Sequence, residues 1–390
     1  MMSASSNTTD LAMRVAIDAT PVLGKPTGVG LFAEKLIRGL QESEAVSQLA
    51  YALSVRRVGR LGSRLGHDVA TRSLPFPPSA LMKRWSTHDT PSIDALLSSP
   101  DVVHGTNFFV PPAEIRSSSK SVRKSVITVH DLTCLRMPHL CTGTTLMYPA
   151  LISRAIANGA FVHTPTRAVA DEVLSEFDVD SERVVPIHLG FDAPTEVTVG
   201  DGDDIDVEPW GDEYVVAVGT VEPRKNYPHL IEAFAVLARR RKRLHLVIVG
   251  QRGWDIERTE AAIKASGCED RIHLTGWVSD ARRHRIISGA RTLAFVSFYE
   301  GFGFPPLEAM ALDVPVVVGS VPAVSEVCGG AGINVVPTDV SGICEALDSV
   351  IDDSAQRRRM IQEGKDRLHH FSWEKTTREM VELYSKACAS

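Results

Sequence analysis

Two glutamates eight positions apart enclose a short glycine- and proline-containing stretch, Glu300-Gly-Phe-Gly-Phe-Pro-Pro-Leu-Glu308. The apolar run TLAFVS precedes it and the apolar segment AMAL follows it, which predicts a strand, a loop and the start of a helix. Gly301 and Gly303 allow the backbone to approach a ligand closely, and the free N–H groups of a helix start bind anions. We expect Glu300 to bind sugar hydroxyls and Glu308, in the first helical turn, to bind ribose hydroxyls. The alternative for Glu308 is a carboxylate that only stabilises the helix start.

A second motif, Gly219-Thr-Val-Glu-Pro-Arg224-Lys225-Asn226, follows the apolar run YVVAVGT. Open α/β sheets bind their ligands at the carboxyl ends of strands, which is where this run places two adjacent cations. Arg224 and Lys225 are therefore expected to neutralise a diphosphate, and during reaction a leaving diphosphate. The alternative is a solvated Arg-Lys pair.

Two weaker signals also follow predicted strands. Thr27-Gly28-Val29-Gly30 matches half of a dinucleotide-binding fingerprint but lacks its third glycine, since residue 33 is Ala. Either a tight turn or a contact with a phosphate or an acceptor substrate would account for this motif. His130 lies in VITVHDLT. We expect it to face a sugar, and the alternative is a structural histidine held by a backbone carbonyl or by Asp131.

The elements that must position these residues alternate along the chain. Short β-branched runs are each followed by polar or helical sequence: MRVAID, DVVHG, SVITVHD and AFVHTP, then from residue 214 YVVAVGT, LHLVIVG, RIHLTG, TLAFVS, VPVVVG and GINVV. This alternation predicts an α/β protein with two Rossmann-like doubly wound domains facing across a cleft. We place the domains at 13–198 and 210–371, joined by an Asp- and Gly-rich linker. A C-terminal helix over 372–390, capped by Ser372, is expected to cross back to the first domain.

Composition excludes several classes of protein. The formal net charge of -6 over 390 residues gives no reason to expect nucleic acid as a partner, because phosphate binding needs a basic face. The six cysteines contain no CxxC pair, so neither zinc nor disulfides are expected. We also expect no other metal or cofactor, because no DxD motif that could hold a metal ion lies near a strand end. The adjacent acids Asp203 and Asp204 lie in the linker. The polar N-terminus and the lack of a long apolar run predict a cytoplasmic protein.

Together these motifs resemble the retaining GT-B glycosyltransferases of family four, which include mannosyltransferases and glycogen and sucrose synthases. The resemblance covers nearly the whole chain: the GxG loop, VHD, GTVEPRKN, GWVSD at 276–280, and EGFGFPPLE followed by PVVVG. It implies that Glu308 binds the donor ribose, that Glu300 binds the transferred sugar, and that backbone near Trp277 and Val278 meets the base. Arg224 and Lys225 would bind the diphosphate, and His130 would lie beside the sugar. The implied donor site is completed by Gly28, Gly30, Gly219, Phe302 and Gly303. Some relatives begin the phosphate loop with Gly-Arg, where this chain has Gly219-Thr220.

The reaction implied is metal-independent, retaining transfer of a hexose, mannose from GDP-mannose, to a glycan or lipid-linked acceptor. A UDP-sugar such as UDP-glucose is the alternative donor. An NAD-dependent oxidoreductase or epimerase would need a full GxGxxG and a following acid, and neither is present. An inactive nucleotide-sugar-binding protein is the other alternative.

Residues 56–85 carry seven cations against the single acid Asp68. The cations are Arg56, Arg57, Arg60, Arg64, Arg72, Lys83 and Arg84. Between them lie Leu61, Leu65, Phe76, Leu81, Met82 and Trp85. This composition predicts peripheral docking on an anionic membrane, with the apolar side chains entering the headgroup layer. The alternative is a solvated surface without a partner.

Overall fold

The computed structural model describes residues 12–24, 27–54, 60–113, 123–141, 143–194 and 210–390. Arg56, Arg57, the expected linker with Asp203 and Asp204, and the N-terminal polar segment lie outside these ranges. Within them the chain forms two parallel sheets, one of seven strands and one of six. The α/β class and the two doubly wound domains are thereby confirmed.

The first sheet has the order β3-β2-β1-β4-β5-β6-β7. Its strands are β1 (Met13–Asp18), β2 (Val46–Leu53), β3 (Thr71–Leu74), β4 (Val102–Gly105), β5 (Lys124–Thr128), β6 (Phe161–Thr164) and β7 (Val184–Pro186). Its helices are α1 (Gly28–Gln41), α2 (Arg60–Leu65), α3 (Pro78–Trp85), α4 (Thr133–Arg136), α5 (Tyr148–Ala157) and α6 (Arg167–Glu176). The sequence runs used above did not include β2, β3 or β7.

The second sheet has the order β10-β9-β8-β11-β12-β13. Its strands are β8 (Tyr214–Val218), β9 (His245–Val249), β10 (Ile272–Gly276), β11 (Thr292–Phe295), β12 (Val316–Gly319) and β13 (Gly332–Val335). The helices that follow are α7 (Tyr227–Arg240), α8 (Ile256–Ser266), α9 (Asp280–Ser288), α10 (Phe304–Ala311), α11 (Pro322–Cys328), α12 (Val340–Asp352), α13 (Ser354–Leu368) and α14 (Trp373–Ala389). All five residues of β8 are buried, as expected for a central parallel strand covered on both faces.

In each sheet the order in which strands are added reverses beside the first strand. β1 pairs with β2 on one side and β4 on the other, and β8 pairs with β9 and β11. The carboxyl edge at such a switch point is where doubly wound sheets bind ligands. The loops that begin at Ala19, Gly219 and Val296 leave these edges, so the fold places the GxG, RKN and EGFGF motifs on the cleft side of the two sheets.

The C-terminal helix α14 packs on the first domain. Ser372 Oγ caps the helix by accepting a hydrogen bond from Lys375 N at 3.1 Å. Met380, Leu383 and Tyr384 are buried, and α14 contacts α1, β4 and β5. At Gly39 of α1 the helices are so close that a Cβ would lie 2.2 Å from Thr377 Oγ1.

The segment 60–85 does not present its apolar side chains to solvent. Leu61, Leu65, Leu81, Met82 and Trp85 are buried in the core of the first domain, and Phe76 is half-buried. Their predicted entry into a headgroup layer is therefore wrong, because α2, β3 and α3 use these residues to pack on the sheet. Arg60, Arg64, Lys83 and Arg84 remain exposed. None of the described helices is both long enough and apolar enough to cross a membrane.

Asp18, at the end of β1, gives a prediction about stability and pH. Its side chain is fully buried, and burial raises its pKa from 3.8 to about 6, although hydrogen bonds from Thr20 oppose the shift. The folded state thus holds the proton more tightly than the unfolded state. The free energy of unfolding should fall as pH rises from about 4 to about 6, by on the order of 3 kcal/mol.

We expect Asp18→Asn to flatten this pH dependence and to raise the melting temperature at pH 7.5, since the amide can still accept hydrogen bonds from Thr20. Urea denaturation between pH 4 and pH 8 measures both effects. Asp101→Asn is the control, because a hydrogen bond from Arg14 lowers the pKa of Asp101. An unchanged pH profile in Asp18→Asn would refute the buried-acid explanation.

Candidate active site

The turn that carries Arg224 and Lys225 is tied to the loop after β11. Asn226 has a left-handed backbone, φ 60°. Its Nδ2 donates to Val296 O at 3.0 Å and to Pro337 O at 2.6 Å. Phe298 N donates to Arg224 O at 2.8 Å. These bonds hold both cations next to the loop that begins the Glu300 motif.

Glu300 lies between the two cations. Lys225 Nζ donates to Glu300 Oε1 at 2.6 Å, and Arg224 Nη1 donates to Oε2. Arg224 also donates to Glu222 Oε1 at 2.6 Å and to Tyr299 O at 2.9 Å. The carboxyl of Glu300 is buried. Arg224 and Lys225 therefore share Glu300 at the carboxyl edge of the second sheet, and Arg224 is also paired with Glu222.

The charge states follow from this arrangement. Burial alone would raise the pKa of Glu300, but Arg224 and Lys225 outweigh it and lower the pKa to about 2. Burial lowers the pKa of Lys225 and is only partly opposed by Glu300. Burial also acts to lower the pKa of Arg224, but Glu300 and Glu222 raise it overall. Glu300 is consequently ionised at neutral pH.

Gly219 brings the phosphate-loop backbone close to Lys225. Its φ is 151°, and a Cβ there would lie 2.9 Å from Lys225 Cε. Tyr227 donates its hydroxyl to Gly219 O at 2.8 Å. A side chain at residue 219 would displace Lys225, so glycine is required by both the backbone angle and the lack of space.

The EGFGF loop contacts the first domain directly. A Cβ on Gly301 would lie 1.8 Å from His130 O, and Thr166 Oγ1 donates to Gly301 O at 3.2 Å. Tyr299 Oη accepts a hydrogen bond from Leu132 N at 2.8 Å and donates to Glu172 at 2.6 Å. The two domains therefore meet at the residues predicted to carry chemistry.

His130 is buried at this interface. Its Nε2 lies 2.8 Å from Thr106 O. A carbonyl oxygen only accepts, so Nε2 carries the proton and Nδ1 is an acceptor. Burial lowers the pKa of His130, which keeps the ring neutral at pH 7. The backbone-carbonyl contact named as the structural alternative is thus present, while the sugar-facing role stays a prediction.

Glu308 lies further into its helix than expected. Helix α10 begins at Phe304 after Gly303, whose φ is 118°, so Glu308 is its fifth residue and not in the first turn. Its carboxylate accepts from Arg283 Nε at 3.1 Å and Nη2 at 3.0 Å. The partner is therefore a cation of α9 rather than the backbone N–H groups of the helix start.

The other predicted donor residues have different exposures. Trp277 is 70% exposed and Val278 is buried, next to each other in the loop after β10. Phe302 is buried against Phe304 and Phe371, so its side chain belongs to the core.

The GxG motif forms the start of α1. Thr27 Oγ1 accepts a hydrogen bond from Gly30 N at 3.1 Å, which is an ordinary N-cap. Gly28 is exposed, and a Cβ there would lie 3.5 Å from the Phe304 ring. The two glycine loops of the predicted donor site thus face each other across the cleft.

Three residues of the site were not predicted from sequence: Glu222, Arg283 and Tyr299. Glu222 was visible inside the GTVEPRKN motif, but nothing in its spacing indicated a contact with Arg224. No local signal identifies Arg283 or Tyr299, because their partners lie 25 and 127 residues away. Among the described residues, no group of three or more His, Cys, Asp or Glu side chains is arranged to hold a metal ion.

Two Rossmann-like doubly wound domains that meet across a cleft form the GT-B fold of glycosyltransferases. Family models agree with this assignment in both halves of the chain. Residues 27–190 match the model of the glycosyl transferase 4-like domain, and residues 204–367 match the model of the family glycosyl transferases group 1. The chain therefore belongs to the family-four glycosyltransferases of GT-B fold.

Individual relatives have low sequence identity to this chain, but the matches extend over much of its length. The chain is 25% identical over 388 residues to O-antigen chain mannosyltransferase B of Escherichia coli, covering 95% of this chain and 99% of that protein. It is 29% identical over 236 residues to the MMP alpha-(1->4)-mannosyltransferase of Mycolicibacterium hassiacum, covering 58% of this chain and 54% of that protein.

Solved structures share the fold. Sucrose-phosphate synthase of Thermosynechococcus elongatus superposes with a TM-score of 0.74 at 18% identity, covering 97% of this chain and 99% of that one. Anabaena HepE in complex with UDP-glucose gives a TM-score of 0.71 at 16% identity, covering 96% and 100%.

Proposed function

We propose that this glycosyltransferase transfers mannose from GDP-mannose to a glycan acceptor, with retention of configuration and without a metal ion. The observation that carries the proposal is the convergence of Arg224 and Lys225 on Glu300 in the cleft. The mannosyltransferase names of the relatives support mannose as the sugar.

The ion cluster suggests how a donor would be received. A nucleotide diphosphate is an anion, so it can replace Glu300 as the partner of the two cations. Glu300 would then be released to accept hydrogen bonds from sugar hydroxyls. The cations would stabilise the negative charge that grows on the leaving diphosphate in the transition state, and they would supply the neutralisation that a metal ion provides elsewhere.

Retention is proposed to occur by front-side attack of the acceptor hydroxyl, with the departing phosphate taking its proton. The bond from the anomeric carbon to phosphate oxygen breaks as the bond to the acceptor oxygen forms. No carboxylate nucleophile of the kind used by retaining glycosidases is invoked. Glu300 is assigned a binding role, because its release from the cations frees both carboxylate oxygens for sugar hydroxyls.

A donor panel tests the proposal. We expect GDP-mannose to raise the melting temperature more than UDP-glucose does, since only ligands that bind the folded state stabilise it. Turnover of GDP-mannose should persist in EDTA, and NMR should show an α-linked product. Stronger stabilisation and turnover with UDP-glucose would reassign the donor, an outcome consistent with the UDP-glucose complex of HepE. Binding without hydrolysis or transfer would instead indicate an inactive nucleotide-sugar-binding protein.

Glu308→Ala tests the ribose contact. We expect it to weaken both GDP affinity and kcat/KM by about 10-fold or more, because a hydroxyl contact is lost in the ground state and the transition state alike. Isothermal titration with GDP measures the affinity. Asp280→Ala is the matched control, because it removes the other carboxylate partner of Arg283 and leaves Glu308 in place. Unchanged GDP affinity in Glu308→Ala would exclude the ribose contact.

We also propose that the first domain docks on an anionic membrane through its exposed cations alone, without insertion of apolar side chains. Arg60, Arg64, Lys83 and Arg84 are exposed, and each can contribute about 1 kcal/mol near an anionic surface. Sedimentation with anionic vesicles should be abolished by high salt and by changing these residues to Ser. No sedimentation at low salt would remove the membrane from the proposal.

A further inference from the structure

A pocket of about 230 Å³ lies between the two domains, beside the ion cluster. We call it the aromatic pocket. Most of its wall comes from the first domain between Phe108 and Tyr148, and the second domain contributes Glu222, Pro223, Arg224 and Trp254. Of the predicted donor residues, only Arg224 lines it. The pocket thus lies beside the ion cluster and does not include the predicted base and ribose contacts.

Its wall combines flat aromatic faces with carboxylates. The rings of Phe108 and Tyr148 stack with centroids 4.4 Å apart and planes 11° from parallel. Trp254 is 61% exposed, which is unusual for a large aromatic side chain. Asp131 and Glu222 add carboxylates to the wall.

Phe108 has a strained backbone. Its φ is 59°, a conformation that costs a bulky residue on the order of 1–3 kcal/mol and that is concentrated at functional sites. Phe108 N donates to Thr128 O at 2.9 Å, which holds the strained residue against the sheet. We interpret this conformational cost as the cost of holding the Phe108 ring in the wall of the pocket.

Trp254 is positioned by the loop that carries the cations. Val221 N donates to Gln251 O at 3.0 Å, and Asp255 N donates to Val221 O at 3.2 Å. A Cβ on Gly253 would lie 2.3 Å from Val221 O. The backbone on both sides of Trp254 is therefore fastened to the segment that leads to Arg224.

We propose that the aromatic pocket binds one neutral pyranose unit of the acceptor, with Trp254 stacking on its apolar face. This inference rests on the proposed function and deepens it. The C–H face of a pyranose packs on aromatic rings, while its hydroxyls donate to carboxylates such as Asp131 and Glu222. The volume is below the roughly 300–1,000 Å³ that holds drug-sized ligands, which suits one sugar unit. A phosphorylated ligand is disfavoured, because the wall carries two carboxylates and its guanidinium, Arg224, is already paired with Glu222 and Glu300.

Saturation-transfer NMR with methyl α-D-mannopyranoside, in the presence of saturating GDP, tests the proposal. We expect binding by the wild type, binding at least about 10-fold weaker in Trp254→Ala, and affinity within about threefold of wild type in Trp254→Phe, which keeps an aromatic face. Val236→Ala, at an exposed position of α7, is the surface control. Equal binding by wild type and Trp254→Ala would overturn the proposal. So would failure of the wild type to bind methyl α-D-mannopyranoside, methyl α-D-glucopyranoside and N-acetylglucosamine alike.

Donor measurements separate this inference from the proposed function. Trp254→Ala should retain wild-type GDP affinity and GDP-mannose hydrolysis, while the KM for methyl α-D-mannopyranoside as acceptor rises and kcat changes little. Loss of GDP affinity together with sugar binding would place Trp254 on the donor side and overturn the proposal. If GDP-mannose is neither bound nor hydrolysed by the wild type, the proposed donor fails, and the NMR comparison still decides the sugar pocket.

Discussion

Lys225→Ala is expected to lower kcat for GDP-mannose by about 10²-fold or more. The ammonium lies 2.6 Å from Glu300 in a buried cluster, where charge interactions are stronger than in water. Negative charge on the leaving diphosphate grows in the transition state, so loss of a cation should affect turnover more than ground-state binding. Steady-state kinetics with purified enzyme, combined with titration of GDP, separates the two effects.

Lys225→Arg should recover part of the activity, because it keeps the charge in a bulkier group. Lys242→Ala, an exposed cation of the same domain, is the matched control and should behave as wild type. In Lys225→Ala, Glu300 keeps one cation instead of two, so the melting temperature of the variant should be lower than that of wild type. A kcat within about threefold of wild type in the folded variant would mean that the leaving group is stabilised elsewhere.

Glu300→Gln should have the second large effect, a loss of turnover without a loss of GDP affinity. We expect kcat to fall by about 10²-fold, since the sugar-binding carboxylate is lost. GDP should nevertheless bind at least as tightly as to wild type, because the diphosphate no longer competes with a carboxylate whose pKa is held near 2 by the same cations. Titration of GDP and single-turnover kinetics measure the two quantities.

Stability provides a further check on Glu300→Gln. The melting temperature of Glu300→Gln should be lower than that of wild type, because two buried cations lose their shared carboxylate. GDP should raise the melting temperature of the variant by more than it raises that of wild type. Glu222→Gln is the control, because Glu222 contacts Arg224 but not Lys225. If Glu300→Gln bound GDP more weakly than wild type, the carboxylate would be supporting the nucleotide site rather than competing for its cations.

Much of the ion cluster could be placed from sequence. The runs before Gly219 and Glu300 predict strands, and parallel strands share one carboxyl edge, so Arg224, Lys225 and Glu300 were expected at one site. The contact among them could not be predicted, because it depends on β8 and β11 being neighbours in the sheet. Sequence order alone places two strands, β9 and β10, between them along the chain.

Other elements escaped local patterns for identifiable reasons. β3 and β7 are edge strands of four and three residues, too short for a clear alternation. β2 begins with Val46-Ser-Gln, whose polar residues interrupt the apolar run typical of a central parallel strand. Composition was also misleading over 60–85, since burial of its apolar residues depends on the sheet beneath them.

The sequence by itself determined the α/β alternation, the glycine loops and the charged motifs at strand ends, because periodicity and turn chemistry act between near neighbours in the chain. Only the tertiary structure decided that Arg283 holds Glu308, that Gly301 touches the backbone of His130, and that Trp254 and Phe108 line the same pocket. These contacts join residues from different loops or from both domains. Their geometry follows from strand order and from the packing of one domain against the other, which no local pattern specifies.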